Sequence, residues 1–165
     1  MLNLYENYPF WFTVLTRLGY RVVLSVPSDH QLFTRGMATI PSESVCYPAK
    51  LAHGHIEDLV SRGIKTIFYP DIVFEEKESP GAANHYNCPI VISYPEVIKT
   101  NVLPLLDRSV RLINPFFALD RPRKMASQLA EALKHDQVNV REAAQAIIDP
   151  MKPVKAPSIM YGTRI

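Results

Sequence analysis

Four short apolar runs constrain this chain most. "RVVLSV" (21–26), "KTIFYP" (65–70), "PIVISY" (89–94) and "VRLINP" (110–115) are β-branched and apolar on both faces, as buried parallel strands are. Longer stretches with helical spacing separate them. The first covers 6–18 and stops at Gly19, a glycine C-terminus. The second covers 48–62 and stops at Gly63, with Leu51, Ala52, Ile56, Leu59 and Val60 as its apolar stripe. A third, 95–106, opens on Pro95 and Glu96. Two more, 121–134 and 139–148, follow Asp120 as an N-cap with Pro122 in the first turn. Strand alternating with helix predicts an α/β three-layer sandwich around a mostly parallel sheet of four to five strands. A doubly wound sheet ordinarily opens on a strand, and this chain opens on a helix. The expectation is therefore a fragment lacking its first strand, which is lost or supplied elsewhere. Residues 1–120 read as the α/β core, 121–150 as helices packing on it, and 151–165 as a Pro-rich tail, a strap or loose end.

Composition removes several functions. Of 165 residues, 47% are apolar and 21% charged, and the formal charge is +2 without long like-charged blocks, which argues against nucleic acid. No apolar run approaches the roughly 20 residues of a membrane span, and the opening residues lack the basic, apolar, small-residue order of a signal peptide. Two cysteines make no disulfide scaffold, so the expected compartment is the cytoplasm. Neither G-x-x-x-x-G-K nor G-x-G-x-x-G occurs, so no marked ATP or nicotinamide site lies in this chain. G-x-S-x-G, H-E-x-x-H and C-x-x-C are missing too.

Two stretches remain as candidate chemistry. In "PSESVCYPAKLAHGH" (41–55), Pro48 suits a first helical turn, so Cys46 falls at or just before the cap. The positive helix end there favours a thiolate, the form needed for iron–sulfur ligation or nucleophilic attack. The competing reading is a small buried apolar cysteine. Lys50, one turn on, could hold an anion or could be a solvated lysine. His53 and His55 lie two apart on a helix and so face different ways, which argues against one shared ion. His53 with Glu57, at i and i+4, is a better-placed pair, which a surface contact explains equally well. In the second stretch, Asp71 directly follows a strand, at the edge where α/β sheets place their sites. The loop that follows carries Glu75, Glu76, His85 and Asn87, and Cys88 closes it, where a core cysteine would also be at home.

The segments "LNLYENYPFW", "IPSESVCYPAKLAHGHI", "FYPDIVFEEKE" and "NHYNCPIVISYPEVIKTN" resemble the uncharacterised domain of the large CoA-substrate-specific enzyme activases. These are related to the activator of 2-hydroxyglutaryl-CoA dehydratase. The resemblance covers residues 2–120 and implies a bacterial or archaeal cytoplasmic protein of anaerobic metabolism. It implies work beside other modules of a large protein or a dehydratase subunit, a CoA thioester as the remote substrate, and a four-iron iron–sulfur cluster. Cys46 and Cys88 match cysteine positions of that pattern, and Asp71 stands where a third cysteine is expected. As parallel strands, 65–70 and 89–94 would leave Asp71 and Cys88 at opposite sheet edges, roughly 20 Å apart. Convergence then needs strand 89–94 reversed, or Cys88 folded up before it. Two other readings stay open: a cluster-free docking module with structural cysteines, and a hydrolase or transferase using Cys46 with His53 or His85.

Overall fold

The computed structural model describes residues 4–76, 79–148 and 160–164, with side chains described for 7–76 and 79–148. Helix α1 (Leu4–Arg17) runs into strand β1 (Tyr20–Leu24), then α2 (His30–Gly36), α3 (Tyr47–Ser61), β2 (Thr66–Phe68) and β3 (Asp71–Phe74). Helices α4 (Pro89–Asn101) and α5 (Leu103–Leu106) lead to β4 (Arg111–Ile113) and β5 (Phe116–Ala118). Helices α6 (Pro122–Ala132) and α7 (Val140–Ile148) follow, then β6 (Met160–Arg164). The glycine stops fall as expected: Gly19 and Gly63 both take positive φ, 85° and 78°.

The fold is α/β, and its strand ladders are the pairs β1–β6, β2–β4 and β3–β5, each parallel. The last two are one ribbon. Thr66 pairs with Arg111 and Asp71 with Phe116 at an unchanged offset. Between them Tyr69 N–H donates to Ile113 O and Asp71 N–H to Pro115 O, each at 3.0 Å. Pro70 and Pro115 lack the N–H a ladder needs, which cuts the regular pairing without bending the chain away. Strand β6 lies beside β2 as well as β1. Among the described residues the expected four- to five-stranded sheet is thus four lines of parallel chain, hydrogen-bonded in pairs. Part of the tail expected to be a strap or loose end is the strand β6, and residues 151–159 lie outside the described residues.

One expected strand is a helix. Residues 89–94 open α4, although Ile90, Val91 and Ile92 carry strand propensity. Tyr94, Pro95 and Ile98 are its buried residues and its C-cap Val102 is buried too, a helical spacing that tertiary burial enforces. The third helix therefore starts at Pro89 rather than Pro95. A second correction concerns Asp71. It begins β3 rather than ending a strand, so it sits within the sheet rather than at its rim.

Helices cover both faces. On one, Trp11 of α1 packs at 5.0 Å from both Phe68 and Phe117. On the other, α3 and α4 pack together over the strand face carrying Tyr69 and Asp71. Near-buried Asp136, just after α6, accepts from Tyr20 Oη at 2.6 Å and from Arg111 Nη2 at 2.8 and 3.1 Å, fastening β1 and β4 to the C-terminal helices. Asp136→Ala strands the Arg111 charge and the Tyr20 hydroxyl. It should cost about 3 kcal/mol, read as a lowered urea midpoint at unchanged slope.

Candidate functional site

The two cysteines occupy the same local geometry. Cys46 is the N-cap of α3 with φ −62° and ψ 149°, and Cys88 is the N-cap of α4 with φ −55° and ψ 141°. A proline stands in the first turn of each helix. In each case the cap carbonyl starts the helix, taking Ala49 and Lys50 N–H at Cys46 and Ile92 N–H at Cys88. Neither sulfur caps its own helix, and both thiols are free and exposed. Exposure answers the core-cysteine reading of both positions: neither is a buried apolar filler.

Topology brings both caps to one end. Helix α3 turns into β2 through residues 62–65, so it runs against the strands. Helix α4 does the same. At its start Asn87 bonds Val73 O and Ile72 O, whereas Glu96, further along, meets Asn114 beside Asp71. The two helices are therefore parallel, and His53 Nε2 meets Tyr94 Oη at 3.0 Å between them. His53 lies seven residues past Cys46 and Tyr94 six past Cys88, so the two N-caps open at the same rim. The helical start at Pro89 removes the obstacle that a strand there would have posed.

A polar core lies beneath this rim. Thr39 Oγ1 donates to Gly36 O, so His53 Nδ1–H donates to Thr39 at 2.8 Å, and Nε2 accepts from the Tyr94 hydroxyl. Burial holds the His53 pKa down at about 4 and pushes the Tyr94 phenol up to about 12, the Cys46 charge adding to the latter. Asp71 is fully closed to solvent. Its Oδ2 accepts from Asn114 Nδ2 at 3.1 Å, and the same amide donates to Glu96 Oε1 at 2.6 Å. Burial raises Asp71 to about 7, against the opposing Asn114 bond.

Residues 1–158 match one family, the CoA enzyme activase uncharacterised domain. The chain belongs to that family. No curated protein and no solved structure matches it. This activase-related domain has no helix, among the described residues, long and apolar enough to cross a membrane.

The other candidates of the activase domain disperse. Lys50 Nζ bonds the Glu43 carbonyl at 2.7 Å and braces the loop before α3. His55 lies between Ser25 and Ser28, at 2.7 and 2.9 Å, and locks the loop after β1. His53 and His55 thus face different partners, as the two-residue spacing requires. Glu75 accepts from Asn87 Nδ2 at 2.8 Å and takes Asn7 as well, closing the 75–87 loop at its base. His85 packs edge-on to Phe74. Both ring nitrogens of His53 are engaged, so it is not free to act as base for Cys46. Among the described residues no group of three or more His, Cys, Asp and Glu converges as a metal site. Sequence reasoning passed over Tyr69, Tyr94 and Asn114. Their only signal was polar groups within apolar runs.

Proposed function

We propose that this domain serves a 2-hydroxyacyl-CoA dehydratase/activase-type system as its electron-transfer module. Cys46 and Cys88 hold one side of a four-iron iron–sulfur cluster, which when bound supplies one-electron transfer. The observation that carries this is the matched pair of exposed N-cap thiols opening at one rim. Helix N-termini favour the negative charge of bound thiolates. The donor set fits half a site, so the remaining thiolates come from another module of the same protein or from a dehydratase subunit. Asp71 lies closed beneath the rim and takes a different role below.

Anaerobic reconstitution of the chain with iron, sulfide and an excess of a small thiol, which stands in for the thiolates of the other module, tests this. The expected result is a broad sulfur-to-iron absorption in the visible, with iron retention at least tenfold weaker in Cys46→Ser or Cys88→Ser. A second reading has support of its own: Met37, Tyr47 and Tyr86 are half or more exposed, and Tyr47 and Tyr86 stand next to Cys46 and close to Cys88 in the chain. It makes the rim a cluster-free docking surface for a partner or a CoA thioester. A colourless reconstituted protein, with the serine variants indistinguishable from wild type, would select it.

A further inference from the structure

The hydroxyl of Tyr69 and Oδ1 of Asp71 are buried without a partner, in residues only 2% and 0% exposed. An oxygen left unpaired in the interior is costly, and native interiors ordinarily fill the place with water. The two belong to one place. The evenly spaced bonds of Tyr69 N–H to Ile113 and Asp71 N–H to Pro115 keep the chain extended through Pro70. Residues 69 and 71 therefore share a face, about 7 Å apart along the strand. The Asp71 charge also bears on the Tyr69 hydroxyl and helps to hold its proton, so the two side chains lie close to one another.

The surroundings leave the pair to itself. From α4, Tyr94 gives its proton to His53 of α3, and Glu96 is taken by Asn114 and Lys99. From the β4–β5 junction, Asn114 spends its amide on Asp71 Oδ2 and Glu96. None of these reaches Asp71 Oδ1 or the Tyr69 hydroxyl.

We propose that Tyr69 and Asp71 enclose a bound water and form an internal site that takes up and releases one proton, with Asp71 as the group that titrates. The water accepts from the Tyr69 O–H throughout. It donates to Asp71 Oδ1 when the carboxyl is ionised and accepts from it when protonated, so both states stay bonded. The upward shift of Asp71 to about 7 puts the exchange near neutrality.

The test uses the full chain, with Tyr69→Phe and Asp71→Asn. Carboxyl carbon NMR follows Asp71, identified by its loss in Asp71→Asn, and thermal unfolding follows stability. The wild-type Asp71 resonance should titrate close to neutrality. Tyr69→Phe should lower the midpoint of unfolding by several degrees and move the Asp71 titration upward, because the water loses its anchor and the carboxylate its donor. Removing a hydroxyl that was merely unpaired would instead leave stability unchanged or raised. That outcome, or a wild-type Asp71 titrating near the ordinary value of about 4, overturns the proposal. The wild-type titration decides it even where Tyr69→Phe does not fold.

Discussion

Gly54→Ala should lower stability by about 4 kcal/mol or prevent folding. In an isolated helix this substitution helps by about 1 kcal/mol, because glycine is the costlier residue. Here α2 and α3 cross backbone to backbone. A Cβ on Gly54 would land on the Leu32 carbonyl, within 2.7 Å of its carbon, and one on Gly36 would come within 2.6 Å of the His53 carbonyl carbon. Both obstacles are main chain and cannot rotate away, so the helices must part. Parting them separates Thr39 from His53 and releases Tyr94, so the polar core loosens with the crossing. At about 2–4 °C per kcal/mol for a chain this size, the midpoint of unfolding should drop by roughly 10 °C. Gly81→Ala is the control, with nothing within 4 Å of the new carbon. Equal midpoints for Gly54→Ala and Gly81→Ala would refute the crossing.

Periodicity made most of the helices readable, because α1, α3, α6 and α7 are bounded by glycine or proline and α1, α6 and α7 bury a single stripe; α3 is buried all round from Ala52 to Ile56. It failed at 89–94, where three β-branched residues in a row imitate a buried strand. Only the placement of Pro89 behind an extended Cys88 marks a helix start there. It also ended the strand at Pro70, since a proline interrupts a ladder. The chain nevertheless stays in register to Ile72, because the partner strand breaks at Pro115 in the matching place; the register shifts only between Ile72 and Phe74. That error put Asp71 at the rim.

The site was legible in part for the same reason. Cys46 could be placed at a helix cap from Pro48, whereas Cys88 was placed at an element boundary but ahead of a strand, where a helix begins. Their sharing one rim could not, since it depends on the direction of residues 89–101. The histidine pair was read correctly as divergent, yet its task was invisible. His53 and His55 join α3 to distant segments through Thr39, Tyr94, Ser25 and Ser28, and contacts of that range leave no local spacing in a sequence.

Those two histidines predict a marked loss of stability in mild acid. Burial holds both near 4, whereas an unfolded chain returns them to about 6.5. Above 6.5 both states are neutral and the contribution is complete. Between 6.5 and 4 the unfolded chain takes up protons that the native state refuses, so stability falls; below 4 the loss stops growing. A shift of this size amounts to roughly 3 kcal/mol for each ring. Asp71 works the other way. Its native value near 7 exceeds the unfolded one of about 4, so its contribution is complete below 4 and is lost as pH rises through 7. One carboxyl cancels about one histidine, leaving a net loss of roughly 3 kcal/mol, or about 6–12 °C in the unfolding midpoint. Asp71→Asn removes the opposing group, so its midpoint should fall more steeply between pH 6.5 and 4.5 than that of wild type. His53→Gln removes one of the two refusing rings and should fall less. A wild-type midpoint that holds level across that interval would mean the rings accept protons in place, and hence that Ser25, Ser28, Thr39 and Tyr94 do not enclose them as described.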